Sequence, residues 1–190
     1  MTSNRHNKTD EDAVLDAARD CVLAVGVRRT TLTDIARRAG VSRMTLYRRW
    51  PDVRTIVGDL MTREWTALAG DVDIEAPGAL RDRLVAALVE GVAAFRAHPL
   101  LRKIREVDPE MLLPYVLDRV GATQTRFLEL FETALRAGHA DGSVRPGDAA
   151  AQARSLLLVV QSFALSGPTV LGEDVLDAEL RHILERTLAP

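Results

Sequence analysis

Apolar positions recur at helical spacing along nearly the whole chain. In TDEDAVLDAARDCVLAVG, residues Val14, Ala18, Cys21 and Val25 fall on one face of a helix. Thr9 and Asp12 have the spacing of a capping box, and Gly26 supplies a stop. Thr33 is the expected cap of a short helix ending near Ala39. Gly40 makes the turn, and Ser42 caps a further helix to about Trp50. Pro51-Asp52 breaks the pattern and starts a helix reaching roughly Ala69. The segment DVDIEAPG is a break. Leu80, Leu84, Leu88, Gly91 and Phe95 form the next stripe, closed by His98-Pro99. A short helix carries Leu101, Ile104 and Val107. Beyond Pro109 and Pro114 a long helix runs to about Ala137, and GHADGSVRPGD is a turn. Two helices follow, at about 148–166 and 174–188. No period-2 strand and no repeat is visible. The pattern predicts an all-α fold of about nine helices.

One helix departs from the amphipathic rule. LLLVVQSFAL, within 148–166, is apolar nearly all round. Such a helix needs cover on several sides. It is either the central helix of the monomer or shares a face with a second copy. Leu176, Leu180, Ile183, Leu184 and Leu188 of the last helix lie beside it in the expected arrangement. The favoured reading is a homodimer in which the helices at about 148–166 and 174–188 pair with their mates in a four-helix bundle.

Composition refines this picture. Hydrophobic residues make up 47% of the 190, enough for a real core. No uninterrupted apolar run is long enough to span a bilayer, and the N-terminus lacks the apolar run of a secretory signal. Cys21 is the single cysteine. A soluble, cytoplasmic protein is expected. Charge is uneven. Residues 1–55 carry 11 Lys and Arg against 7 Asp and Glu, while the remainder carries 14 against 20. A basic end on an acidic body suggests a segment facing nucleic acid. The expected division is a DNA-binding domain over 1–52 and a helical domain over 53–190.

The basic end has an internal logic. TLTDIARRAGVSRMTLYRRW, Thr31 to Trp50, interleaves five arginines with Ile35, Ala36, Ala39, Val41 and Leu46. Two short helices joined by a tight turn need a small residue where they touch, supplied by Ala36, and a glycine at the turn, supplied by Gly40. Ile35, Ala39, Val41 and Leu46 then face inward. Arg43, Met44, Thr45, Tyr47, Arg48 and Arg49 are left on the outer side of the second helix. In a helix-turn-helix that helix enters the major groove of double-stranded DNA. Arginine there can donate two bonds to guanine, and hydroxyls and further arginines can hold phosphates.

The residues Gly26, Thr31, Ile35, Ala36, Gly40, Val41, Ser42, Thr45, Leu46, Tyr47 and Trp50 together resemble the TetR family of transcriptional regulators, over about residues 10–60. The resemblance implies an operator-binding homodimer, a repressor by family expectation, needing no cofactor or metal. It implies that Thr33 meets a phosphate or base, that Arg43, Met44 and Thr45 read bases or line the groove wall, and that Tyr47 and Arg49 hold the DNA backbone. Where the family often has a phosphate-binding lysine, this chain has Val53. Arg48, Arg49 and Arg54 are the candidates to replace it. The resemblance also implies a small-molecule pocket in the helical body. A ligand there tilts the fourth helix and separates the recognition helices. Candidates to line it are Trp65, Phe95, Met111, Tyr115, Phe127, Phe131, Gln161 and Phe163, which suit a hydrophobic or amphipathic effector.

Two alternatives remain open at this level. One is a DNA-binding regulator without an effector. The other is a small helical enzyme. His6, His98, His139 and His182 are scattered, with no HExxH, no metal-spaced Cys/His cluster and no GxSxG. Glu129 and Glu132 share a helix flank and read as solvated charges. The enzyme is the weaker of the two.

Overall fold

The computed structural model describes residues 3–68 and 77–190. The described residues form eleven α-helices and one 3-10 turn, with no strand among them. The helices are α1 (Ser3–Val25), α2 (Leu32–Ala39), α3 (Arg43–Arg49), α4 (Val53–Thr66), α5 (Leu80–Ala97), α6 (Pro99–Val107), α7 (Leu113–Leu117), α8 (Ala122–Ala140), α9 (Ala149–Leu165), α10 (Gly167–Val170) and α11 (Leu176–Leu188). The 3-10 turn, Pro109–Met111, lies between α6 and α7. Residues 69–76, which include most of the DVDIEAPG break and the expected helix end at Ala69, lie outside those described.

All-α architecture agrees with the periodicity, but the helix count is higher than nine. The additions are α7 and α10, each with a proline in its first turn. Proline lacks an N–H that the first turn does not need, so it starts a helix as readily as it stops one. At the other end of the chain, α1 begins at Ser3. Thr9 is therefore inside the helix and not at its cap.

The chain divides into two compact units. One holds residues 1–64 and 98–119, and the other holds 65–97 and 120–190. In the first unit, α1 buries Val14, Ala18 and Cys21 as expected, whereas Val25 is exposed. Ile35, Ala36, Leu46, Ile56, Leu60 and Ile104 complete its core. Burial pushes the Cys21 thiol above its ordinary pKa, so it is a poor nucleophile at neutral pH. In the second unit α5, α8, α9 and α11 surround a core built on Leu84, Leu88, Leu135, Leu156, Leu180 and Leu184.

α9 and α11 cover each other only in part. Gln152, Ala153, Leu156, Leu157, Val160 and Ala164 of α9 are buried. On its other side Ala151, Ser155, Leu158 and Ser162 are exposed, and Leu158 is 68% exposed. α11 buries Leu176, Leu180, Leu184 and Leu188, while Ile183 is exposed. The all-round apolar helix is thus not centrally buried within one chain.

Carboxylates fix several helix starts, and this has a pH consequence. Asp34 is held below its usual range by the Thr31 hydroxyl and then by Arg37, and Asp52 by the Thr55 backbone N–H and hydroxyl. Asp141 is lowered by the Ser143 side chain first, then by the N–H groups of Ser143 and Leu80. A carboxyl whose folded pKa lies below its unfolded value of about 3.9 stabilises the fold above that pH and ceases to do so as pH falls through the folded value. The helical circular-dichroism melt is expected to hold steady from pH 7 to 5 and to move to lower temperature below about pH 4. A melt unchanged at pH 3 would contradict these assignments.

Candidate functional site

The first unit presents two short helices in tandem. Thr31, in extended conformation, caps α2: its hydroxyl accepts the Asp34 N–H at 3.1 Å and donates to Asp34 Oδ2 at 2.5 Å. Arg37 then bonds Asp34 Oδ1 at 2.7 Å. The cap is Thr31 and not Thr33, because the Thr-x-x-Asp spacing that closes the loop belongs to Thr31. Thr33 sits inside the first turn, half-buried. Gly40 ends α2 at φ 69°, its N–H and that of Val41 returning to Arg37 and Ala36 carbonyls. Ser42 caps α3 through the Thr45 N–H at 3.1 Å.

Leu46 anchors α3 from below at 1% exposure, and Trp50 closes it. The Trp50 indole is buried and donates to Asp59 Oδ2 at 2.8 Å. With α3 held this way, Arg43, Met44, Thr45, Tyr47, Arg48 and Arg49 are all exposed. Ala39 and Val41, expected inside, are half-buried. Met44 is 78% exposed, a large apolar side chain left in water on an otherwise cationic face. Among the described residues Arg43 and Arg48 have no acidic partner. Arg49 differs. It pairs with Glu11 of α1 and its guanidinium lies 5.1 Å from the Trp50 ring. The Thr45 hydroxyl is bonded to that of Ser42 at 2.8 Å. Val53 is half-buried at the start of α4, and Arg54 beside it is exposed.

Behind the tandem helices lies a contact that sequence reasoning missed. Asp108, 1% exposed, caps the end of α6 and reaches the turn that leads from α1 to α2. Its Oδ2 accepts the Val27 N–H at 2.6 Å, and its Oδ1 accepts Arg28 Nε at 2.8 Å. Arg28 also donates to the Val107 carbonyl at 3.1 Å. The partners are about 80 residues apart in sequence, and no local rule links them. The Glu11–Arg49 pair went unseen for the same reason.

The pocket candidates of the helical body are not one group. Trp65, Phe95, Phe127, Phe131, Gln161 and Phe163 belong to the second unit; Met111 and Tyr115 belong to the first. Within the second unit Trp65 meets Phe95 edge-on at 4.8 Å, and Phe127 stacks on Phe131 at 6.1 Å. Phe95, Phe131 and Phe163 are half-buried against the core. The Gln161 oxygen accepts Gln124 Nε2 at 2.6 Å. Tyr115 carries the Arg119 guanidinium 5.3 Å from its ring. Of the carboxylates on α8, Glu129 pairs with Arg126 at 3.1 Å and Glu132 with Arg136.

A capped two-helix unit with a cationic outer face, joined to an all-helical body, defines a helix-turn-helix DNA-binding regulator. Comparison with known proteins agrees. The family model for bacterial regulatory proteins of the tetR family matches residues 14–57. An HTH-type transcriptional regulator of Mycobacterium bovis is 36% identical over 188 residues, covering 97% of each chain. Among solved structures, the R. erythropolis transcriptional repressor QsdR, of the TetR family, superposes with a TM-score of 0.72. It is 15% identical, with 95% of each chain covered. SmeT, in complex with triclosan, gives a TM-score of 0.65 at 22% identity, covering 96% of this chain and 92% of its own. The chain belongs to the TetR family of DNA-binding transcriptional regulators. Among its described residues no single helix is long and apolar enough to cross a membrane.

Proposed function

We propose that this regulator binds a palindromic operator as a homodimer, represses transcription from it, and is released by a small apolar effector. The observation that carries the DNA part is the outer face of α3. Arg43, Met44, Tyr47 and Arg48 are exposed together there, and the two arginines meet no acid among the described residues. Arg43, in the first turn of α3, is assigned a base contact and Met44 a groove-wall or thymine-methyl contact. Tyr47 and Arg48 are assigned to phosphates. Arg48, and not Arg49, takes the role of the family lysine missing at Val53, because Arg49 is already held by Glu11 and Trp50. Thr33 and Thr45 border the same face.

Two copies are needed to read two half-sites about 34–36 Å apart. The uncovered side of α9 at Leu158 and the exposed Ile183 of α11 supply the surface for that pairing. The effector part is supported by the half-buried aromatic side chains of the second unit. SmeT, which shares the fold, is seen with triclosan bound. This pattern favours control by a ligand over a regulator without one.

DNA fragments selected by the purified protein, followed by salt-titrated binding, test the reading. Affinity indifferent to both sequence and salt would overturn it. Arg43→Ala is expected to cost about 1–3 kcal/mol and to relax preference at one position of each half-site. Arg48→Ala is expected to weaken all sequences alike and to lower the salt slope by about 1. Arg49→Ala should change that slope less than Arg48→Ala; the reverse order would return the backbone contact to Arg49.

A further inference from the structure

Three buried polar atoms have no hydrogen-bond partner among the described residues: Trp65 Nε1, Thr66 Oγ1 and Arg96 Nη1. Buried donors are nearly always paired in native proteins, so each exception asks for an explanation. They lie on the consecutive residues Trp65 and Thr66 and on Arg96, which follows Phe95. The rings of Trp65 and Phe95 touch at 4.8 Å, and a Cβ on Gly91 would lie 3.8 Å from the Leu68 carbonyl. The end of α4 and the last turns of α5 therefore run side by side, and the residues that carry the orphaned atoms lie on these two stretches, all within the second unit. Trp65 itself is only 6% exposed.

The chemistry of these atoms says what completes them. An indole N–H and a guanidinium N–H can only donate; a threonine hydroxyl can donate or accept. An acceptor oxygen can take a hydrogen bond from any of the three, and the two N–H groups can be satisfied only by an acceptor. Charge narrows the choice. Arg96 Nη2 already bonds Asp177 Oδ1 at 2.7 Å, so its positive charge is matched. A carboxylate entering here would bring an unmatched charge out of water, whereas a neutral carbonyl would not. The unit offers an apolar setting: Phe95, which meets Trp65, and Leu128, Phe131, Val159 and Phe163 are partly buried against its core.

We propose that the second unit binds a neutral, apolar molecule whose carbonyl oxygen accepts a hydrogen bond from Trp65 Nε1, with Arg96 Nη1 as the second donor. This rests on the reading of that unit as a small-molecule sensor, and it names the class of molecule.

The test uses the full chain and four probes sharing one phenylalkyl body: 4-phenylbutan-2-one, the isosteric 4-phenylbutan-2-amine, 3-phenylpropanoate and butylbenzene. The readout is the pair of indole N–H resonances in a nitrogen-correlated NMR spectrum. Trp50, bonded to Asp59, is the internal control. The ketone is expected to move the Trp65 resonance, leave that of Trp50 in place, and bind about tenfold or more tightly than the other three. Trp65→Phe, which keeps the edge contact to Phe95 but not the donor, is expected to bring the ketone down to the affinity of butylbenzene. Should that variant fold poorly, the ranking of the four probes on the unmodified chain still decides. Equal binding by the amine, the carboxylate or butylbenzene overturns the proposal, as does no binding by any probe at millimolar concentration. Failure of the sensor reading looks different. A ketone that docks at Trp65 without weakening operator affinity leaves this site standing and removes its effector role. A molecule that releases the operator while the Trp65 resonance stays still does the opposite.

Discussion

Gly26→Ala is expected to destabilise the N-terminal unit by about 2–5 kcal/mol, while Gly40→Ala costs only about 1–2 kcal/mol. Both glycines have positive φ, 84° and 69°, and an alanine there costs about 1–2 kcal/mol of backbone strain. Their surroundings differ. A Cβ on Gly40 meets nothing within 4 Å. A Cβ on Gly26 would lie 2.6 Å from Asp108 Oδ2 and 2.9 Å from Val107 Cγ1. Relief requires Asp108 to move, and its move strips the buried Val27 N–H of its acceptor. A buried donor left unpaired costs about 1–3 kcal/mol. Against the 5–15 kcal/mol that holds a typical domain together, the sum is large. Thermal or urea unfolding of the two variants checks the contrast. Equal losses would mean that the Asp108 contact contributes nothing. Adding Asp108→Ala removes the clashing oxygen, so the double variant should lose less than the two single losses together.

That contrast marks where sequence reasoning reached and where it stopped. Gly26, Gly40, Ser42 and Asp148 were legible as helix boundaries because a cap is a local event: a glycine at positive φ, or an oxygen reaching an N–H two or three residues on. Thr31 was legible too, since its spacing to Asp34 is that of a cap, and choosing Thr33 overlooked it. Asp108 carried no such signal. Its carboxylate does its work on residues about 80 positions upstream, and a lone Asp before a proline reads only as a helix end.

The outer face of α3 was readable for a related reason. Leu46 is the one buried residue of α3, and turning it to the core leaves Arg43, Met44, Tyr47 and Arg48 facing water. The division of labour among the arginines was not readable. Arg49 is taken by Glu11 and by the Trp50 ring, a choice made by the docking of α1 and invisible in the order RMTLYRRW. The aromatic candidates show the same limit. Residue type picks out rings that can line a cavity, yet only the folded chain separates Met111 and Tyr115 from Trp65 and Phe95. It also leaves Trp65 Nε1 without an acceptor among the described residues.

Leu158→Arg is expected to convert the proposed dimer to monomer at micromolar concentration and to lower operator affinity by about 10²–10⁴-fold. Leu158 is 68% exposed on a helix that is otherwise among the most apolar in the chain. Its exposed neighbours Ala151, Ser155 and Ser162 are small enough to let a second helix approach. Under two-fold symmetry each substitution counts twice. Two leucines withdrawn from an interface forfeit about 3–6 kcal/mol, and two arginines facing each other add repulsion. A tenfold change needs about 1.4 kcal/mol, so the dimer constant should rise by at least about 10²-fold. Operator affinity follows because one half-site no longer holds the second recognition helix close to its own. Val170→Arg is the control. Val170 is even more exposed, at 77%, but it lies on α10, outside the two helices assigned to the proposed face. Sedimentation should show a dimer for the control and a monomer for Leu158→Arg. Helical circular dichroism should be unchanged in both, since neither side chain is buried in one chain. The midpoint of thermal unfolding should depend on protein concentration in the control and not in Leu158→Arg. If Leu158→Arg stays dimeric and Val170→Arg does not, the pairing surface lies around α10 and the two-fold arrangement of α9 and α11 is wrong.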